Sequence, residues 1–300
     1  MDLIMNYTLL ENILCPADTR RNSACNSCQP ILTRISQAGP LCTEVYMIRL
    51  ILVALLLGIY FILSLPIMGI LWLVRKFITP KAELFMQRIV QFALWVVWHV
   101  SGVKLTTIGL ENIPDDQPVL FVGNHLSYFD VVIAYSQMKN RTIFIGKASL
   151  EKIPFLSWNM KFLRCLFIDR TNMRQGVKTI MEAAEMTKEG ISVFIYPEGM
   201  RNTNGDELKL HTFHDGSFKV AQRGPCPIIP VAITNTANIF ENHIPWIKAT
   251  RVVIEYGKPV TWDELDKDTR KHIGDHFQQV ILEMLRKNQP LTLTDKKNAA

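Results

Sequence analysis

The chain has 300 residues, enough for one domain with a full hydrophobic core plus an appendage, or for two modest domains. Its 33 Lys and Arg stand against 27 Asp and Glu, a net charge of +6. That balance suits a membrane surface or an anionic ligand and excludes the dense basic footprint of a nucleic-acid binder.

Residues 1–42 mix Pro, Asn, Ser and Cys with no sustained periodicity and read as an irregular arm. Four of the six cysteines lie there. Cys25 and Cys28 form a lone C-x-x-C with no second pair at zinc spacing and no strand-helix context, so neither a metal nor a redox site is expected. The run from Leu50 to Val74 contains no charged residue and exceeds the roughly 20 apolar residues that cross a bilayer. It begins too far from Met1 for an ordinary signal peptide. Its length also fits a buried core helix, and Pro66 and Gly69 leave open a kink or a half-inserted hairpin. Leu84 to Val100 carries Trp95 and Trp98 beside Arg88, Gln91 and His99, the mark of an interfacial helix or of a helix packed on a domain. Basic residues 75, 76, 81 and 88 follow the apolar run, so a single crossing would place the C-terminal domain in the cytoplasm.

Beyond residue 103 the pattern changes to short β-branched runs separated by helical stretches, the alternation of an α/β domain. Strands are expected at 119–122, 142–145, 165–168, 191–196, 228–233 and 252–256, several apolar throughout as a sheet covered on both faces requires. Helical patterns lie near 130–138, 174–189, 216–223 and 268–287, the second ending at Gly190 in a cap position. The predicted organisation is an arm (1–42), a membrane segment with an interfacial helix (43–103) and a catalytic-size domain (104–300). Its fold class is α/β, a mixed sheet flanked by helices behind an N-terminal membrane-embedded helical segment.

Two strand ends carry the chemistry. The buried run Val119–Val122 leads through Gly123 into Asn124-His125-Leu126-Ser127-Tyr128-Phe129-Asp130, and functional groups collect at such ends in open α/β sheets. On one continuous helix His125 and Asp130 would sit about 140° apart, so they meet only if His125 lies in a turn and Asp130 in the helix that follows. Ser127 is a fair N-cap for that helix. Ser127 and Asp130 also have capping-box spacing, which offers Asp130 a purely structural job. The run Ile191–Tyr196 leads into Pro197-Glu198-Gly199-Met200-Arg201, where Gly199 permits a tight turn and Arg201 offers a fork of donors matched to phosphate. Glu198 is placed to orient Arg201 or to contact a substrate hydroxyl. Lys147 and Arg170 each follow a buried strand, where a cation is placed to grip phosphate or is merely solvated. His211 with His214, and His272 with His276, have ligand-like spacing but lack an H-E-x-x-H context or a third ligand, so no metal is expected. No G-x-S-x-G elbow is present.

With these residues in order, the chain resembles the glycerolipid acyltransferases typified by 1-acylglycerol-3-phosphate acyltransferase. Asn124-His125 through Asp130 is similar to that family's N-H-x4-D block, and Tyr196-Pro197-Glu198-Gly199-Met200-Arg201 to its F-P-E-G-T-R block. Phe167-Ile168-Asp169-Arg170 and Pro227-Ile228-Ile229-Pro230-Val231 are similar to its second and fourth blocks. The likeness covers roughly Lys104 to Pro259. Met200 stands for the usual threonine, Tyr196 for phenylalanine, and Asp215-Gly216 where a lysine-glycine pair is common.

The resemblance implies acyl transfer from a thioester, acyl-CoA or acyl carrier protein, to a lysophospholipid hydroxyl, that of lysophosphatidic acid first. It implies His125 as general base, Asp130 as its orienting partner, and Glu198, Gly199, Arg201, Arg170, Lys147 and Asn124 as substrate-binding residues. No cofactor beyond the donor is implied, and the partners are lysolipid, thioester and membrane, with no nucleic acid. Another lysolipid as acceptor, a thioesterase, and a membrane-anchored lipid-binding protein are the readings to be distinguished.

Overall fold

The apolar runs form a seven-stranded sheet, defined by a computed structural model that describes residues 40–169 and 171–293. The strands are β1 (Lys104–Ile108), β2 (Leu120–Gly123), β3 (Thr142–Lys147), β4 (Leu166–Ile168), β5 (Ser192–Ile195), β6 (Ile228–Thr234) and β7 (Arg251–Tyr256). Across the sheet they run β1-β7-β6-β2-β5-β3-β4. Every neighbouring pair is parallel except β6 and β7, so the sheet is mixed as expected. Six of the seven strands fall within a few residues of the apolar runs. The seventh, β1, is an edge strand of sequence KLTTI with Lys104, Thr106 and Thr107 exposed, and it carries no apolar run to betray it.

Among the described residues seven α-helices accompany the strands: α1 (Pro40–Val100), α2 (Tyr128–Ser136), α3 (Leu156–Phe162), α4 (Met173–Lys188), α5 (Lys219–Arg223), α6 (Lys267–Lys271) and α7 (Ile273–Thr292). α1 and α2 cover one face, where Phe121, Phe144 and Phe194 meet Met86, Ile133 and Tyr135. The rings of Phe144 and Phe194 stack with centroids 4.6 Å apart. α4, α5 and α7 cover the other face through Ile180, Ala183, Val220, Phe277 and Ile281. Burial from both sides is why β2, β5 and β6 are apolar at nearly every position rather than alternating. α4 does end at Gly190, whose φ of 76° is the left-handed conformation that favours glycine. The stretch expected at 268–287 is two helices, broken at His272.

The N-terminal helical run has a shape the sequence leaves open. Assigned helical over 61 residues, with Pro66 and Pro80 inside it, it would hold Arg49 and Gly102 about 80 Å apart if straight. Instead a Cβ built on Gly102 would lie 3.3 Å from the Arg49 guanidinium carbon, so the run doubles back between them. The first arm contains Glu44–Leu73, 30 residues long and apolar enough to cross a bilayer, with little of it buried in the protein. Ile51, Leu55, Ile59, Ile62 and Ile70 are exposed along it.

The second arm docks on the domain through polar side chains. Gln91 donates to the Tyr135 and Met138 carbonyls at 2.9 and 2.6 Å, and Arg88 to those of Met138 and Lys139 at 3.1 and 2.6 Å. Gln87 donates to the Asn140 carbonyl at 2.8 Å and accepts from Thr142 N–H at 2.9 Å. These side chains satisfy carbonyls left orphaned at and just beyond the end of α2. Arg88 and Gln91 therefore mark a domain-packing face, not the water-facing side of an interfacial helix; Phe85, Phe92 and Trp95 on the same arm remain exposed.

Candidate active site

The site is built at the C-terminal end of β2, where the parallel strands β2, β5 and β3 deliver their connecting turns. Gly123 ends β2 because a side chain there would meet the Phe194 ring at 3.1 Å. The chain turns through Asn124 and His125 before Ser127 caps α2. Ser127 Oγ accepts from Phe129 N–H at 3.0 Å, and the Asp130 carboxylate accepts from Ser127 N–H at 2.8 Å and Leu126 N–H at 2.6 Å. The same oxygen, Asp130 Oδ2, lies 2.8 Å from His125 Nδ1. The two jobs that the spacing sets in competition are thus done together: Asp130 closes the capping box and holds the histidine. Its other oxygen accepts from the Thr236 hydroxyl. Asp130 is wholly buried, whereas the His125 side chain keeps 16% of its exposure. With Nδ1 turned to the carboxylate, Nε2 is the nitrogen left to meet a substrate proton.

The second turn grips this histidine. Glu198, almost fully buried, accepts from His125 N–H at 2.8 Å through one oxygen and from His211 N–H at 2.9 Å through the other. Asn202 N–H donates to the His125 carbonyl at 2.7 Å. The Tyr196 ring stacks on the imidazole with centroids 4.2 Å apart at 16°. Gly199 makes the turn possible with φ at 73°. Burial raises the Glu198 pKa, opposed by the two backbone N–H groups it accepts from. Glu198 is therefore a brace of the histidine backbone. Its oxygens meet these two N–H groups and not Arg201, the partner that its position in the sequence suggests. Glu198→Gln should cost about 1–3 kcal/mol, because an amide offers one acceptor to two buried N–H donors. Thermal melting checks this, with a drop of several degrees expected.

Arg201 finds its partner elsewhere. Its Nη1 donates to Glu241 Oε1 at 3.1 Å, its Nη2 to the Tyr128 hydroxyl at 3.2 Å, and its guanidinium lies 3.9 Å over the Tyr128 ring. Glu241 also accepts from Tyr128 N–H at 2.8 Å and Ser127 Oγ–H at 2.6 Å. One carboxylate thereby joins the arginine turn to the start of the histidine helix. Glu241 and Thr236 escape the sequence reading because they lie more than 100 residues beyond Asp130, in a loop after β6 that matches none of the four blocks.

The remaining predicted residues separate. Asn124 is fully buried and pairs both ends of its amide with the Ile233 backbone at 2.9 and 2.8 Å, so it ties the turn to β6. Lys147 is exposed at the end of β3, two strands from β2, which is about 10 Å at ordinary strand spacing. Arg170 lies outside the described residues, as do Cys25 and Cys28. Asp215, where a lysine is common, accepts from Gly274 N–H at 2.8 Å and so secures the start of α7.

A buried carboxylate on the imidazole, a free Nε2 and a nearby arginine are what proton abstraction beside an anionic substrate requires. Residues 104–234 match the family model named Acyltransferase. Over these residues the chain resembles an acyltransferase domain. The matched stretch includes both strand-end turns and stops just before Thr236 and Glu241. Among curated proteins the chain is 28% identical over 202 residues to the 1-acyl-sn-glycerol-3-phosphate acyltransferase of Borreliella burgdorferi, covering 67% of this chain and 78% of that one. It is 27% identical to the yeast enzyme of the same name, over 64% of this chain and 65% of that one. The Salmonella typhimurium enzyme is 30% identical over 54% of this chain and 64% of its own length. The crystal structure of the 1-acyl-sn-glycerophosphate (LPA) acyltransferase PlsC from Thermotoga maritima superposes with a TM-score of 0.69 at 20% identity, over 81% of this chain and 95% of that one. This chain shares that fold.

Proposed function

We propose that this protein transfers a fatty acyl group from an acyl thioester, acyl-CoA or acyl carrier protein, to the free hydroxyl of lysophosphatidic acid, giving phosphatidic acid. The observation that carries the reading is the His125 imidazole held by buried Asp130 with Nε2 free and Arg201 tethered to the same helix start through Glu241. His125 Nε2 takes the proton from the acceptor hydroxyl as its oxygen attacks the thioester carbonyl. The tetrahedral intermediate collapses with cleavage of the C–S bond, and the departing thiolate takes the proton back from the imidazolium. Asp130 holds the tautomer and stabilises the transient cation. No protein nucleophile enters the step.

Arg201 binds the acceptor phosphate with the donors that Glu241 and Tyr128 leave over, and Lys147 and Arg170 supply further positive charge. Arg201→Ala removes a charge-assisted contact already made in the bound state, so KM for lysophosphatidic acid should rise roughly tenfold or more. KM for a lysolipid without a terminal phosphate should barely move. The helical hairpin holds the domain at a bilayer surface with its catalytic face on the cytoplasmic side, where insoluble acceptor and product reside.

The test is incubation of the purified protein with acyl-CoA or acyl carrier protein and a panel of lysolipids, with mass spectrometry of the products. Phosphatidic acid should dominate. A preference for a lysophospholipid with a full headgroup, or for a lyso-aminolipid, would replace the acceptor in this proposal. Binding without turnover would replace the enzyme.

A further inference from the structure

The segment between β3 and β4 has inverted polarity. Helix α3 buries its Ser157 and Asn159, at 3% and 4% exposure, and turns Trp158 outward at 47%. Ile153 and Phe155, just before it, are exposed at 47% and 38%. A short helix beside water is expected to face the other way. Asn159 is held inside by the Tyr60 hydroxyl at 2.7 Å and by the Phe155 carbonyl at 2.7 Å, so the orientation is fixed by hydrogen bonds. Phe155 itself adopts φ 60° and ψ −54°, a conformation a bulky side chain rarely takes and holds only where its surroundings enforce it.

This outward apolar face continues the first arm of the hairpin. Phe155 packs on Phe61 with centroids 6.1 Å apart and on Trp158 at 5.1 Å, while Ile59, Ile62 and Leu63 are exposed on the same arm. Around it, residues 147–161 carry three lysines, Lys147, Lys152 and Lys161, against one acid, Glu151. An exposed aromatic pair joined to an apolar helix, in a segment of net positive charge where Lys161 pairs with Glu151 at 2.7 Å, matches the boundary between lipid headgroups and acyl chains. The segment also follows β3, whose end lies on the same side of the sheet as the His125 turn.

We infer that Ile153, Phe155 and Trp158 form a second membrane contact, separate from the hairpin arm, which seats the active-site end of the sheet against the lipid interface. The inference rests on the proposal that the hairpin itself enters the bilayer. Insertion of the two aromatic rings gives the acceptor a path from the membrane to His125 that does not cross water.

The test uses the full-length protein reconstituted in vesicles of phosphatidylcholine and phosphatidylglycerol, with or without brominated acyl chains that quench nearby tryptophans. The fluorescence contributed by Trp158 is read as the difference between wild type and Trp158→Phe, and that of Trp72, exposed on the hairpin arm, from Trp72→Phe. Both contributions should fall at least twofold in brominated vesicles. Quenching of Trp72 alone overturns this inference and leaves the hairpin in the membrane; quenching of neither overturns both. In parallel, the double variant Phe155→Ser with Trp158→Ser should lose roughly tenfold or more of its rate on vesicle-embedded lysophosphatidic acid. Its rate on a water-soluble short-chain acceptor should hold. An equal loss on both acceptors, or on neither, contradicts the role.

Discussion

His125→Ala should lower kcat by roughly a hundredfold or more while KM for the acceptor stays near its wild-type value, because the residue moves a proton in the chemical step. The substitution leaves the main-chain contacts of the turn in place: residue 125 N–H donates to Glu198, and its C=O accepts from Asn202 N–H. Thermal melting should therefore fall only by what the hydrogen bond to Asp130 and the stacking on Tyr196 contribute. Steady-state kinetics on the folded variant decide the matter. Near-normal turnover would remove His125 from the reaction.

Asp130→Asn should reduce kcat by about two to four orders of magnitude, through loss of the charge that stabilises the imidazolium. Its stability should suffer less than its activity. An asparagine oxygen can still accept from Leu126 and Ser127 N–H, and the Thr236 hydroxyl can rotate to accept from the new amide. Asp130→Ala removes all of these partners and should cost several kcal/mol as well, since buried N–H groups are left without acceptors. Comparing melting and kcat for the two variants separates the cap from the chemistry. A residue acting only as a cap would lose stability in Asp130→Ala and leave kcat of Asp130→Asn nearly unchanged.

The strands that place the site were legible because burial on both sheet faces forces apolar runs, as at Val119–Val122 and Ile191–Ile195. β1 and α3 were not. The first is a polar edge strand, and the second buries serine and asparagine while exposing tryptophan, the reverse of the pattern that sequence reading relies on. His125 and Asp130 were found from their spacing, but the spacing made capping and catalysis look like alternatives; only the geometry shows one oxygen performing both. Proximity in sequence suggests Arg201 as the partner of Glu198, whereas the turn points its carboxylate back at the His125 main chain. The true partner of Arg201, Glu241, comes from a distant loop and leaves no local signal. The return of the N-terminal helix is likewise a tertiary fact: Pro66, Gly69 and Pro80 permit a bend, and the nearness of Arg49 to Gly102 reveals it.

The most direct measurement of the mechanism is thiol release from acyl-CoA by the purified protein with and without lysophosphatidic acid, read beside phosphatidic acid formed and the intact mass of the protein. Direct transfer by His125 and Asp130 predicts thiol release that depends on the acceptor, matches phosphatidic acid one for one, leaves no acyl adduct on the chain and is lost in His125→Ala. Thiol release that proceeds without acceptor, or an acylated protein that forms before acceptor is added, would contradict it.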